Sequence, residues 1–526
     1  MLSVDDTPLW NRRFWWLLVG VALFRVIYVF TCIDFQIGGE EPYQWDWGRR
    51  LDWCYYSKPP MIGWLMAALR TVFGYEWWAL RLASIKLGSC TLFLMFALGR
   101  RMFDARTGFF AALMFVCTPA NMAGNFLFSI DSPLAVCWMA SLFFFWCAVE
   151  APHRWSIWSA LTLAIGLGTL TKQMMLVFPG LMVAFAALVP GQRALLKRPA
   201  FWLTLAGGLL FLSPLLWWNT QHDGVTFNHM KEHFRHGEEG LSGVVEQVLR
   251  FPILQSVMYS PITWVVLMGG LWWCWRHWRT AGDRERFLFL FSAPALLVFQ
   301  AMAFRQYINE NWPAVYYLSA FVLGAGHALS KASVEVWMRR GIKLGACMVA
   351  FVYLALPLVP VMGLTGHKKL DPALPMRGWE VSGEKIGELL AQVPRPEQTF
   401  VLVLDHRNYA SQMAFHLPQH PIVYRWTRDG RVESQYEVWP NASDKVGWDA
   451  FVIYPDSEND DFKKKNLATP IRRAFRSTEK LADVEVPIGQ HSKRSFQVFL
   501  CKDMKHWPKT GAEEGIQYNS ASDAKP

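Results

Sequence analysis

Residues 14–33 read FWWLLVGVALFRVIYVFTCI, a run with one charged side chain, Arg25. A helix of about 20 such residues rises about 30 Å, the thickness of a bilayer's hydrocarbon core. The run is too long for the apolar core of a signal peptide, and no small-residue cleavage pattern follows it. It therefore reads as a first membrane-spanning helix. Arg25 is costly in lipid and should face the helix bundle or an outer cavity, as half of an ion pair or as a phosphate contact. Similar apolar blocks recur at 82–99, 107–125, 132–150, 155–171, 174–189, 200–218, 256–275, 287–304, 312–330 and 344–363. The expected fold is thus a polytopic α-helical membrane protein with about eleven spans.

Composition agrees. The 526 residues are 53% hydrophobic, with 28 Trp and 37 Phe, and 18% charged, against about a quarter in ordinary soluble domains. The net charge of +10 would suit nucleic acid, but the cations lie between apolar blocks. That pattern is membrane topology. With the N-terminus in the cytoplasm, inner loops hold Arg12, Arg13, Arg100, Arg101, Arg106, Arg154, Arg193, Lys197, Arg276, Arg284, Lys331, Arg339 and Lys343. Outer connections hold far fewer, and an odd number of spans puts the C-terminus outside. The nine Cys sit mostly inside apolar blocks, with no zinc or disulfide spacing.

Two outer loops are long, 34–81 and 219–255, within a membrane domain covering 1–365. From about Gly366 the composition is that of a soluble domain. Phe400–Leu404, Ala450–Tyr454 and Phe496–Cys501 read as buried strands, and 408–416 as helix. Residues 366–505 are expected to form an extracytoplasmic α/β domain, and 506–526 a disordered tail. No internal repeat is visible. The sequon Asn441-Ala442-Ser443 has a high chance-match rate and carries nothing.

The first outer loop reads Gly39-Glu40-Glu41-Pro42-Tyr43-Gln44-Trp45-Asp46-Trp47, then Tyr55-Tyr56-Ser57-Lys58-Pro59-Pro60. An acidic pair past a first span, then aromatics and Lys-Pro-Pro, resembles the first periplasmic loop of the GT-C superfamily. The likeness is to bacterial relatives of protein O-mannosyltransferases and aminoarabinose-to-lipid-A transferases. Ser129-Ile130-Asp131-Ser132-Pro133-Leu134 is similar to the family's second acidic motif. Thr171-Lys172-Gln173, Trp218-Asn219-Thr220-Gln221-His222-Asp223, Asn311-Trp312-Pro313 and Ser434–Pro440 also resemble family positions. The charge-derived topology puts Glu40, Glu41, Lys58, Asp131, Lys172, His222 and Asn311 at one membrane face.

The resemblance implies an inverting glycosyltransferase, moving a sugar from a polyprenyl-phosphate carrier to an envelope acceptor: lipid A, another glycolipid, a polysaccharide or a protein. It implies location in the cytoplasmic (inner) membrane. Attack of a hydroxyl on an anomeric carbon needs a carboxylate to take the proton. The departing lipid phosphate needs cations. The resemblance assigns the base to Glu40, where the family usually has Asp, so Glu41 stays an alternative. Lys58 and Lys172, then Arg305 and His222, are candidates for the donor phosphate. Asp131 would orient Lys58 or bind sugar hydroxyls. Tyr55, Tyr56, Trp45, Asn219 and Asn311 are candidate sugar or lipid contacts. No cofactor is required; a divalent metal is compatible, although no His/Asp/Glu spacing forms a ligand set. Competing readings are a flippase or transporter of lipid-linked sugars, against which the missing repeat counts, and an inactive envelope scaffold.

Overall fold

The computed structural model describes residues 7–233, 241–456 and 467–510. These fall into two compact units: residues 1–32, 58–65 and 69–355, and residues 33–57, 66–68 and 356–526. In chain order the helices are α1 Thr7–Cys32, α2 Glu41–Arg49, α3 Met61–Phe73, α4 Trp77–Met102, α5 Ala105–Val116, α6 Pro119–Phe126, α7 Asp131–Glu150, α8 Trp155–Thr171, α9 Val177–Leu188, α10 Pro199–Leu210, α11 Ser213–Gln221, α12 Val225–His233, α13 Leu241–Met258, α14 Pro261–Arg276, α15 Asp283–Leu290, α16 Ala293–Met302, α17 Ala314–Ser330 and α18 Ala332–Val361. Helix α2 belongs to the second unit.

The first unit is a helical bundle. Among the described residues six segments are long and apolar enough to cross a membrane, or nine if each of three bent pairs is one crossing. Three shorter apolar helices, α3, α8 and α17, accompany them. Trp16, Phe351 and Val361 lie 72%, 72% and 81% exposed, and many other large apolar side chains on α1 and α18 face outward with them. Apolar faces of that extent need lipid, not water, around them. The chain is a multi-pass membrane protein. Small residues let its helices approach closely: a Cβ on Gly99 of α4 would stand 2.7 Å from Gly108 Cα of α5.

One expected span is broken inside its bounds and two bend at or near an end. Residues 107–125 bend by 73° between α5 and α6, where Thr118 caps the new helix and Pro119 fills its first position. Pro is preorganised there and cannot continue the preceding ladder. The 174–189 span turns by 120° into a 3-10 segment starting at Pro190. The third bends by 109° at Ser260–Pro261, where Ser260 has φ +64°. The two long loops are also helical: α2 and α3 lie within 34–81, and α12 and part of α13 within 219–255, of which 234–240 fall outside the described residues.

The second unit contains a five-stranded sheet of order β2-β1-β3-β5-β4: β1 Thr399–Leu404, β2 Val423–Trp426, β3 Asp449–Pro455, β4 Phe475–Ile488 and β5 Ser492–Met504. Strand β1 pairs in parallel with both β2 and β3, whereas β5 runs antiparallel to β3 and β4. Helices α19 Trp379–Leu390 and α20 Arg407–His416 accompany the sheet. Strands β1 and β3 are almost wholly buried, hence their continuous apolar runs. Strand β4 alternates polar and apolar residues, and β2 is four residues long; both escape a search for apolar runs. The expected tail lies outside the described residues from 511 onward.

Candidate functional site

In the first unit the polar residues converge at the start of α7. Helix α6 brings the chain to Asp131 through a turn in which Ser84 Oγ donates to the carbonyls of Gly124 and Leu127, and Ser132 Oγ to Gly124. Lys172 follows α8 in extended conformation, which carries its side chain off the helix path. Its Nζ lies 2.6 Å from Asp131 Oδ1, and Asn311 Nδ2 donates to Asp131 Oδ2 at 2.7 Å. Lys172 is only 5% exposed. A buried ammonium needs a carboxylate, and Asp131 supplies it.

A cavity of about 90 Å³ adjoins this cluster, lined by Asn121, Asn125, Asp131, Ser132, Tyr259 and apolar residues. Arg25 is buried next to it. Its Nη2 donates to Asn121 Oδ1 at 2.6 Å and its Nε to Tyr353 Oη at 3.3 Å. Among the described residues no carboxylate pairs with Arg25, so hydrogen bonds to neutral groups hold it.

Other candidates of this unit have local roles. His222 Nδ1 meets the Trp218 carbonyl at 2.8 Å and its ring stacks on Trp218 at 3.9 Å. Asn219 donates to the Leu215 carbonyl and accepts from the Thr226 amide, tying α11 to α12. Both side chains thus make local contacts at the end of α11. Arg305 is exposed beyond the end of α16. Lys58 stands half-buried, ahead of the prolines that start α3.

In the second unit the acidic pair divides. Glu41, 2% exposed, accepts from the Gly38 amide at 3.1 Å. The side chain of Glu40 is 49% exposed and its Oε1 lies 3.0 Å from Arg407 Nη2. Pro42 and the positive φ of Gly39, +59°, start α2 so that neighbouring carboxylates diverge.

The loop's aromatic residues Trp45, Tyr55 and Tyr56 are buried. Tyr55 stacks on Trp47 at 4.5 Å and donates to its carbonyl. Trp45 packs against Phe415, with Arg49 over its ring at 4.6 Å. The Tyr56 amide donates to Gln435 Oε1 at 2.6 Å, and the Gln435 amide donates to Tyr43 Oη at 2.5 Å. Tyr436 Oη donates to the buried Asp46 at 2.7 Å. The Ser434–Pro440 segment therefore braces the loop that carries the acidic pair. Burial pushes the Tyr43 and Tyr436 hydroxyls above the ordinary phenol range, with Asp46 adding to the effect on Tyr436. Both stay neutral and fit for hydrogen bonding.

Arg407, Tyr43, Asp46 and Gln435 escaped sequence reasoning. Arg407 is 367 residues from Glu40, and no local pattern announces the pairing. Tyr43 and Asp46 lay in a motif already quoted, but looked no different from its other aromatic and acidic members. Among the described residues no group of three or more His, Cys, Asp or Glu could hold a metal ion.

Known proteins resemble this chain in sequence and in fold. Residues 57–218 match the dolichyl-phosphate-mannose-protein mannosyltransferase family model. That match covers about a third of the chain. Lipid A galacturonosyltransferase RgtD of Rhizobium johnstonii is 26% identical across 80% of this chain and 86% of its own length. The undecaprenyl phosphate-alpha-4-amino-4-deoxy-L-arabinose arabinosyl transferase of Pseudomonas savastanoi is 33% identical over 22% of this chain and 23% of its own. The crystal structure of ArnT from Cupriavidus metallidurans bound to undecaprenyl phosphate superposes with a TM-score of 0.61 at 17% identity, covering 92% of this chain and 97% of that one. That likeness is one of fold.

Proposed function

We propose that the chain transfers a sugar from a polyprenyl-phosphate carrier to a glycolipid of the lipid A type, with inversion, at the outer face of the cytoplasmic membrane. The observation that carries this reading is the match to a lipid A galacturonosyltransferase over 80% of the chain. The undecaprenyl phosphate in the name of a second relative supports the donor class. The six long segments, the three bent pairs, α8 and α17 support eleven crossings. With the charge bias of the loops, that puts the N-terminus inside and the residues after 365 outside. Residues 1–365 are then the membrane domain and 366–505 an extracytoplasmic α/β domain.

In this mechanism Glu40 takes the proton of the acceptor hydroxyl as its oxygen bonds to the anomeric carbon. The bond from that carbon to the carrier's phosphate oxygen breaks, and the electron pair leaves with the phosphate. Lys58 and Lys172 stabilise the charge that gathers there. Asp131 and Asn311 position Lys172, which the 2.6 Å and 2.7 Å contacts support. Glu40 is preferred over Glu41 because its carboxylate is half-exposed while Glu41 is buried on a backbone amide. Neither lysine requires a metal partner for this role.

The test is transfer of labelled sugar from undecaprenyl phosphate to lipid A by purified full-length protein. Glu40→Gln should lower turnover about a hundredfold or more with donor binding retained. Near-normal turnover in that variant would remove Glu40 from the chemistry.

A further inference from the structure

Strand β1 is flanked by parallel strands on both sides, so the connections after it diverge at its C-terminal end. In open α/β sheets such a switch point is where loops carry function. The chain leaves β1 through Asp405, His406 and Arg407. Asp405 has φ +83°, well inside the left-handed region that only glycine enters freely. The strain is held in place: Arg425 Nε donates to the Asp405 carbonyl at 2.5 Å, while its Nη1 reaches Glu437 at 2.6 Å and Ser434 Oγ at 3.3 Å. His406 then caps α20 by accepting from the Asn408 amide at 3.3 Å. Burial, with Arg407 and Arg425 beside it, holds the His406 pKa below the ordinary imidazole value, which suits an uncharged acceptor.

This construction delivers Arg407 to Glu40. Nη2 donates to Glu40 Oε1 at 3.0 Å, Nη1 approaches the Glu433 carbonyl at 3.5 Å, and the guanidinium lies 5.2 Å from the Tyr43 ring centre. Burial works against the Arg407 charge, but Glu40 and Tyr43 outweigh it and leave its pKa raised. Stability gives no reason for the arrangement. A partly exposed ion pair adds little to stability, whereas a left-handed non-glycine residue is strained. The contact is also one-sided: among the described residues only Oε1 of Glu40 is engaged, which leaves Oε2 with its lone pairs for a proton.

We propose that Arg407 is a positioning residue for Glu40, a guanidinium that the α/β unit supplies from its strained switch-point loop to fix the carboxylate by one oxygen and leave the other to act. The proposal rests on the assignment of Glu40 as base. It makes the α/β unit part of the catalytic apparatus and not only an acceptor-binding accessory. Arg407 itself exchanges no proton.

Full-length Arg407→Gln, Arg407→Lys, Glu40→Gln and Glu40→Gln/Arg407→Gln would be purified and assayed for sugar transfer, with thermal unfolding as the folding control. Arg407→Gln should lower kcat about tenfold to a hundredfold, the size of effect that follows small misplacement of a reacting group. The donor KM should stay within about twofold, because binding is untouched. Arg407→Lys should recover most of the loss by restoring the charge. In the Glu40→Gln background, loss of Arg407 should have no further effect, since the group it positions is gone. Normal kcat in Arg407→Gln with Glu40→Gln inactive overturns the proposal and spares the base. An equal loss in both backgrounds, or no rescue by lysine, makes Arg407 structural and overturns it too. Near-normal turnover in Glu40→Gln overturns the base itself.

Discussion

Asp131→Asn is the most revealing single change in the bundle, because its main effect falls on a different residue. Asparagine keeps the shape of the side chain and an oxygen for the Asn311 amide. It strips the charge facing Lys172, whose Nζ lies 2.6 Å from Asp131 Oδ1. Breaking a buried pair from one side costs about 3–5 kcal/mol, since the other charge is left uncompensated. The side chains here are 7% and 21% exposed, so some water reaches the acid. The low end, about 3 kcal/mol, is expected. That is roughly a hundredfold in the unfolded fraction. Lys172→Met should cost less, about 1 kcal/mol, because the orphan is then the more exposed partner. The double variant Asp131→Asn/Lys172→Met should be more stable than Asp131→Asn alone. Stability would be read as the rate of thermal inactivation in lipid nanodiscs at fixed temperature. Turnover should separate from it: the double variant regains stability but not activity, since the proposed phosphate contact is gone. If Asp131→Asn inactivates no faster than wild type, or the double variant is worse than the single, the pair does not carry a buried charge.

Glu41→Gln should retain most activity, because glutamine can still accept from the Gly38 amide as Glu41 does; a dead Glu41→Gln beside an active Glu40→Gln in the transfer assay would reverse the assignment. Burial, with His420 and Arg494 nearby, depresses the His416 imidazole to about 3. The unfolded chain therefore takes up this proton near pH 6.5 and the folded chain does not, so the stability is complete above pH 6.5 and declines as pH falls toward 3. At pH 5 the loss is about 2 kcal/mol, and acid unfolding followed by near-ultraviolet dichroism should flatten in His416→Gln over that window. Gly88→Ala drives a methyl into the buried Asn125 side chain of α6 and should destabilise the bundle by about 1–3 kcal/mol, visible as faster thermal inactivation. With Cys90 and Cys347 replaced by serine, Leu51→Cys and Ser477→Cys should label with an impermeant reagent in spheroplasts while Arg279→Cys stays protected; the opposite pattern would invert the orientation.

Spans were legible because a membrane demands length and apolarity, and both are local properties of a sequence. α1, α4, α7 and α18 lie where the apolar blocks put them, within a few residues at most ends. The bends were less legible. Thr118-Pro119 and Ser260-Pro261 lie in or at the edge of apolar blocks, and proline there can either kink a span or start a new helix. Which happens depends on whether neighbours satisfy the freed carbonyls. In the α/β unit the search for apolar runs found β1, β3 and β5, but β4 is buried on one face only and β2 is too short.

The partnerships of the candidate residues were not legible in the sequence. Glu40, Lys58, Asp131, Lys172 and Asn311 could be named from motif order, yet motif order could not say that Asp131 holds Lys172 and Asn311. Nor could it separate Glu40 from Glu41, since adjacent identical residues differ only in what the fold sets beside them. That difference resides in one backbone amide and one guanidinium 367 residues away. Tyr55, Trp45, His222 and Asn219 show how a residue type suited to sugar or phosphate is equally suited to stacking, capping and bracing. Substitution of the half-exposed Glu40 should alter chemistry more than stability, whereas substitution within the Lys172–Asp131 pair at the cavity rim should register in both.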